Sequence, residues 1–298
     1  MAEDKAYVSS EEIVEAIKLW PNYQSKQVSA EDVRAWLGQR PSHIEQRYLF
    51  TILQNLRFFT DNEIREKLGD IHSSIKRQIP DFVQRRRSHT RKDIIVTYVD
   101  GPGKSGASYA SLYAEENGIN AQNVMEIEGL KGFLSSQKES NAIASIIIVD
   151  DIIGTGNTMK GNLKAFFSNH LDRLAELGVR LDIAVIAATQ KGDVAVRRYL
   201  EEVEFENVDL RICEVIDENH IAFNGQDGIW SSDSEKNIAK ELIQDIGYSI
   251  QKNNPLGYGD GGLMVVFSRN CPNNSLPLLH SSGKKESPWR PLFPRIMH

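Results

Sequence analysis

The sequence predicts an α/β protein: a parallel sheet covered by helices, preceded by an all-helical segment. Three observations predict it. Short aliphatic runs, DIIVTYV (93–99), SIIIVDD (145–151), LDIAVIAAT (181–189) and DLRICEVI (209–216), recur along the second half of the chain. Helical stretches separate them, and strands that read as unbroken apolar runs are buried on both faces, as in parallel sheets. Upstream of residue 79 the apolar residues repeat at helical spacing instead, and no strand pattern interrupts them.

Ser9 or Ser10 caps a first predicted helix through EEIVEAIKLW, which Pro21 ends. Ser29 caps a second, AEDVRAWLGQ, and Ser42 opens a third, HIEQRYLFTILQNLRFF, with Ile44, Tyr48, Leu49, Ile52 and Leu56 on one face. Thr60 with Glu63 forms a capping box for NEIREKLGDIHSSIKRQI. These elements make a helical domain over 1–79, leaving 80–298 for the sheet domain. Between 76 and 92 lie seven basic residues, Lys76, Arg77, Arg85, Arg86, Arg87, Arg91 and Lys92, against one acid, Asp81. Such a run reads either as a solvated connector or as a phosphate or nucleic-acid contact.

In the sheet domain the first strand runs into a glycine-rich turn and a helix through YASLYAEENG. A weaker strand falls at 123–127, and 128–142 reads as a loop. After the strand at 145–151, GTGNT is a turn and MKGNLKAFFSNHLDRLAELG a helix. A short helix around VAVRRYLEEV separates the last two strands. Beyond 222 the pattern weakens to a helix at 235–250, capped by Ser234 or Asp233, a strand at 261–267, and an irregular tail holding five of the ten prolines.

Composition narrows the function. The 298 residues are 40% hydrophobic and 26% charged, which excludes wholesale disorder. A net charge of −6 argues against a general polyanion binder. Cys213 and Cys271 cannot make a disulfide framework or a self-contained zinc site. His72, His89, His170, His220 and His280 show no metal-ligand spacing. No apolar run reaches the roughly 18–20 residues of a membrane span, and the N-terminus lacks signal-peptide character, so a cytoplasmic protein is expected.

The chemistry concentrates in IIIVDDIIGTGNT, residues 146–158. Asp150 and Asp151 are consecutive on a strand and so point to opposite faces, which makes two core positions for them costly. At the strand's exit they can accept hydrogen bonds from vicinal hydroxyls. Gly154 and Gly156 permit backbone turns closed to other residues. The amides of Gly154, Thr155, Gly156, Asn157 and Thr158 then form an anion cradle at a helix start. A phosphate beside a diol fits this arrangement. A second glycine loop, GPGKSGAS (101–108), follows the first strand, with Gly103, Lys104, Ser105 and Gly106 as a cation, a hydroxyl and flexible amides.

DDIIGTGNT after four aliphatic residues resembles the phosphoribosyl pyrophosphate motif of type I phosphoribosyltransferases. The resemblance implies that fold for the sheet domain, with 222–298 as a divergent hood. It implies that Asp150 and Asp151 bind the ribose 2- and 3-hydroxyls and, through them, Mg²⁺. Residues 154–158 would hold the 5-phosphate, and Lys104, Ser105 and Gly106 the pyrophosphate. The family's mobile catalytic loop would fall at 128–142, with Lys131 and Lys138 as its cations. Gln190–Asp193 would lie at the same sheet edge, near pyrophosphate or metal. The whole chain, including the tail GYGDGGLMVVFSRNCPNNSLP, is similar to bacterial phosphoribosyltransferase-like effectors of conflict systems, including retrons. That similarity implies an anti-phage role and a homo-oligomer or larger complex; a nucleic-acid or nucleoprotein partner for Arg85, Arg86, Arg87, Arg91 and Lys92 stays the alternative to a solvated connector. The similarity does not name the acceptor. Trp230, Phe223 and Phe267 can stack on a base or fill a core.

Two other readings compete. A catalytically inactive phosphoribosyl or nucleotide sensor, or a toxin subunit, would use the same site without turnover. A P-loop NTPase would use Gly103, Lys104 and Ser105, but its motif needs glycine where Tyr98 stands.

Overall fold

A computed structural model of the chain describes residues 7–78, 93–101, 104–137, 143–224, 228–284 and 288–296. The chain divides into two units, Asn62–Ile216, and Met1–Asp61 together with Asp217–Met297.

The first unit is built on a five-stranded sheet. Helix α4 (Asp61–Gln78) leads into β2 (Ile94–Thr97), α5 (Ser105–Glu116), β3 (Val124–Met125), α6 (Ile127–Ser136), β4 (Ser145–Ile153), α7 (Asn157–Leu177), β5 (Arg180–Thr189), α8 (Gln190–Glu202) and β6 (Val208–Ile216). All neighbours are parallel, in the order β3-β2-β4-β5-β6. The chain winds outward from β2 in both directions, so the order reverses between β2 and β4. Open α/β sheets bind ligands in that crevice, at the carboxyl ends of the strands. Strand β4 outruns its neighbour: β2 pairs with it only as far as Thr97↔Ile148, while β5 pairs with it to Ile153↔Ala188. Residues 149–153 of β4 therefore have a flank that β2 does not pair, and the two aspartates lie on it.

Aliphatic burial explains the strands. Ile146, Ile147 and Ile148 of β4 and residues 183–187 of β5 are fully buried. Leu163, Phe166, Phe167 and Leu174 of α7 close over one face. At the opposite, N-terminal end of the sheet, the fully buried Asp182 accepts hydrogen bonds from Arg180 (3.0 Å), Arg211 (3.0 Å) and Ser145 (3.0 Å). Helix α4 packs on β6 through a Lys67–Glu214 ion pair at 2.8 Å, and Arg211 reaches its Ser74 hydroxyl at 3.1 Å.

The second unit joins the first three helices to the tail. Helices α1 (Ser10–Ile17), α2 (Ala30–Leu37) and α3 (His43–Gln54) start on the serines expected, Ser9, Ser29 and Ser42, the first two with reciprocal capping boxes to Glu12 and Asp32. The tail contributes α9 (Asp233–Ile250), β7 (Val265–Phe267) and α10 (Pro277–His280). The proline-rich end is irregular but deeply packed: Leu276, Leu278, Leu279 and Phe293 are fully buried beside Trp20, Trp36 and Phe50. Tyr23 donates to the Pro294 carbonyl at 2.8 Å and Trp289 to the Leu278 carbonyl at 2.8 Å.

Several expectations change. Helix α3 stops at Gln54, and Arg57–Phe59 forms a strand, β1, paired in parallel with β7 (Phe58↔Val266). The N-terminal segment is thus not all helical. The division at 79/80 differs from the one observed, because α4 packs with the sheet and the tail packs with α1–α3. The expected loop at 128–142 begins as helix α6, whose Leu130 and Leu134 are buried in the sheet unit's core. Helix α9 is capped by Ser232 rather than Ser234 or Asp233. Gln190–Asp193 is the first turn of α8, capped by Thr189.

Candidate functional site

Asp150 and Asp151 occupy the flank of β4 that β2 leaves unpaired. Asp151 is 8% exposed and Asp150 half-buried. Each carboxylate folds back onto the next amide: Asp150 Oδ1 accepts the Asp151 N–H at 2.9 Å, and Asp151 Oδ1 accepts the Ile152 N–H at 2.9 Å. A third carboxylate joins them. Asp100 follows β2, its Oδ2 accepting the Gly106 N–H at 3.1 Å, while its Oδ1 is buried without a hydrogen-bond partner. Burial, then the charges of Asp151 and Asp100, holds the Asp150 carboxyl well above the usual carboxylate range. Burial also raises Asp100; the Gly106 N–H and the Lys104 charge oppose that, and the Asp151 charge adds to it. These mutual effects put Asp100, just after β2, within electrostatic reach of Asp150 and Asp151 near the end of β4. No Cβ fits at Gly106, where it would stand 2.3 Å from Asp100 Oδ1, so glycine lets the carboxylate sit against the first turn of α5.

Beyond β4 the chain turns at Gly154 and Thr155 into α7. Gly156 caps that helix at φ +80°, a conformation glycine adopts without strain, and no side chain caps the first turn. Thr155 is half-buried, and Asn157 and Thr158 are exposed. Asn157 N–H lies 3.5 Å from Thr155 Oγ1, a long contact that leaves the first-turn amides available to an anion. Lys104 stands at the N-cap of α5 with extended backbone and an exposed side chain, and Ser105 opens the helix.

Of the residues read from the sequence, Asp150, Asp151, Gly154 to Thr158, Lys104, Ser105 and Gly106 thus fall at the carboxyl ends of β2 and β4. Gly103 lies outside the described residues, as do Lys138 and the basic residues Arg85, Arg86, Arg87, Arg91 and Lys92. Lys131 lies in helix α6, one turn beyond its start. It acts electrostatically on His170, which lies 13 residues along α7 from Asn157, roughly 20 Å away at helical rise. Tyr98, where a P-loop needs glycine, is buried. Trp230, Phe223 and Phe267 belong to the second unit's packing: Trp230 stacks on Phe223 and donates to the Ala222 carbonyl, and Phe267 stacks on Phe59 at 4.6 Å.

Sequence reasoning missed Asp100 and Thr189. Asp100 sits in an Asp-Gly pair that reads as an ordinary turn. Thr189 reads as the last residue of a strand, yet its hydroxyl bridges the Gly154 carbonyl (2.6 Å) and the Gly192 N–H (3.0 Å).

Among the described residues no group of three or more His, Cys, Asp or Glu side chains is arranged to hold a metal ion, and no helix is long and apolar enough to cross a membrane.

Three solved structures show some likeness to the chain. The xanthine-guanine-hypoxanthine phosphoribosyltransferase of Helicobacter pylori is 12% identical, with 54% of this chain and 86% of that one covered and a TM-score of 0.31. The hypoxanthine phosphoribosyltransferase of Trypanosoma cruzi is 16% identical, with 58% and 84% covered and a TM-score of 0.29. The AQ2163 protein of Aquifex aeolicus is 10% identical, with 62% and 82% covered and a TM-score of 0.28. No curated protein matches. The family model PRTase-CE matches residues 33–295, nearly the whole chain and both units. The chain therefore belongs to the PRTase-CE family of phosphoribosyltransferase-like proteins.

Proposed function

We propose that the protein binds phosphoribosyl pyrophosphate with Mg²⁺ at the carboxyl ends of β2 and β4, and transfers the phosphoribosyl group to an acceptor or to water. The observation that carries this reading is the acid pair on the flank of β4 that β2 leaves unpaired, followed at once by a glycine turn into a helix that no side chain caps. Asp150 and Asp151 accept hydrogen bonds from the ribose 2- and 3-hydroxyls. The amides of residues 154–158 and the dipole of the 21-residue helix α7 hold the 5-phosphate. Lys104 and the start of α5 hold the pyrophosphate.

The donors suit a hard cation. Three crowded carboxylates, one with an unpartnered buried oxygen, do not form a complete protein cage. Mg²⁺ is commonly held by one or two carboxylates together with substrate phosphates. Asp150 and Asp151 are the residues that would hold it, and when bound it supplies charge neutralisation. In the reaction the C1–O bond to pyrophosphate breaks, the pyrophosphate leaves with the electron pair, and a nucleophile adds at C1 from the opposite face. The chain's own part is to bind charge and fix geometry, so no strong side-chain base is required.

Release of pyrophosphate on incubation with phosphoribosyl pyrophosphate and Mg²⁺, assayed with water and with a panel of bases and nucleosides, tests the reading. Release by the protein and none by Asp150→Asn/Asp151→Asn supports it. Binding without release across the panel favours the sensor reading. The anti-phage role rests on sequence resemblance. A loss of protection in phage plating with the double variant supports it, and unchanged protection contradicts it.

A further inference from the structure

We propose that Thr189 is a positioning residue for the phosphate loop: its hydroxyl staples the Gly154 carbonyl to the first turn of α8 and thereby aims the loop amides at the ligand. The inference rests on the reading of residues 154–158 as that loop.

Thr189 ends β5, next to β4 through the pair Ile153↔Ala188. It is 8% exposed. Its hydroxyl donates to the Gly154 carbonyl at 2.6 Å and accepts the Gly192 N–H at 3.0 Å, so one side chain caps α8 and grips the loop. The loop rests on that turn at two further places. A Cβ at Gly192 would stand 2.2 Å from the Gly154 carbonyl oxygen, so contact this close requires glycine. A Cβ at Gly156 would stand 3.1 Å from both the Gly192 carbonyl oxygen and Ala195 Cβ.

The consequence follows from peptide geometry. All described peptide bonds are trans, and in a trans peptide C=O and N–H point in opposite directions across one plane. With the Gly154 carbonyl drawn toward α8, the Thr155 N–H points away from α8. Glycine at 154 would otherwise let this peptide rotate, presenting a carbonyl oxygen where an anion is to bind. The staple removes that alternative before ligand arrives, which is preorganisation of the loop.

Three variants and two readouts test the proposal. In ligand-free protein, hydrogen exchange at the Gly192 amide, which donates to the Thr189 hydroxyl, should quicken about tenfold in Thr189→Val, as expected for one lost hydrogen bond, and return in Thr189→Ser. Calorimetry should show ribose 5-phosphate binding weakened about tenfold in Thr189→Val and restored in Thr189→Ser, with inorganic pyrophosphate binding unchanged. Gly192→Ala keeps the hydroxyl but displaces the Gly154 carbonyl, and should copy the loss even where Thr189→Val fails to fold. Equal ribose 5-phosphate affinity and exchange in wild type and Thr189→Val overturns the staple. So does a parallel fall in pyrophosphate affinity, which marks a general structural role. Wild-type protein that binds no ribose 5-phosphate overturns instead the phosphate-loop reading, whatever the exchange shows.

Discussion

Replacing Asp182 by Asn should destabilise the sheet unit without touching the ligand site. Asp182 is fully buried at the N-terminal end of the sheet, the opposite end from Asp150. Its two oxygens receive Arg180 Nε and Nη2, Arg211 Nε and the Ser145 hydroxyl, all between 3.0 and 3.2 Å. Asn keeps the volume and one acceptor but removes the charge and turns an amide N–H₂ toward a guanidinium. The Arg211 side chain is 11% exposed, so water does little to replace the lost partner. Breaking a buried pair on one side costs about 3–5 kcal/mol. Asp209 still accepts from Arg211 at 2.8 Å and is 38% exposed, which favours the lower end of that range, about 3 kcal/mol. For a unit of this size the melting temperature should fall by roughly 6–12 °C. Thermal unfolding followed by circular dichroism reads the shift, and calorimetry at 20 °C reads ligand affinity. A melting temperature within 2 °C of wild type, or a ligand affinity lost with the fold intact, refutes the assignment of this network to stability alone.

The opposite pattern is expected at Asp150. Because its folded-state pKa is raised, the folded protein holds a proton that the unfolded chain has lost, and stability falls as pH rises through that window. Asp150→Asn should therefore melt higher than wild type at pH 8, with the advantage gone below about pH 4, where unfolded aspartates are protonated too; thermal scans across pH check this. Gly106→Ala should cost about 1–3 kcal/mol by overpacking against Asp100, and Asp100→Ala should recover part of that loss in the double variant, as a double-mutant cycle in urea would show. Lys104→Ala should weaken pyrophosphate binding by about tenfold while leaving ribose 5-phosphate binding and the melting temperature unchanged, because the side chain is exposed and caps nothing.

What could be read from the sequence depended on how local each signal was. Strands β4, β5 and β6 lie within a residue or two of their aliphatic runs because burial on both faces needs that composition. The loop after β4 was legible for the same reason: two adjacent acids without basic partners are costly in a core, and glycines next to a helix start have a backbone use. Strand β1 was not. Arg57–Phe59 is three residues long, continues the apolar spacing of α3, and becomes a strand only by pairing with Val265–Phe267, some 200 residues away. Helix α6 was hidden by Gly129 and Gly132, which lower helix propensity, although Leu130 and Leu134 share the buried face that holds it in place. Asp100 and Thr189 act through single hydrogen bonds to Gly106 and Gly154, six and 35 residues away. Neither bond has a sequence pattern. The return of the tail to α1–α3 is equally non-local, and it moved the unit boundary.

If the acid pair and glycine loop form the ligand site, they bind phosphoribosyl pyrophosphate. Calorimetric titration of the purified protein with that ligand and Mg²⁺ tests it most directly, with Asp150→Asn/Asp151→Asn and ATP as controls. Saturable binding by the wild type is expected, with its loss in the double variant at an undiminished melting temperature and no comparable binding of ATP. Equal binding by the double variant, or binding of ATP alone, would contradict it.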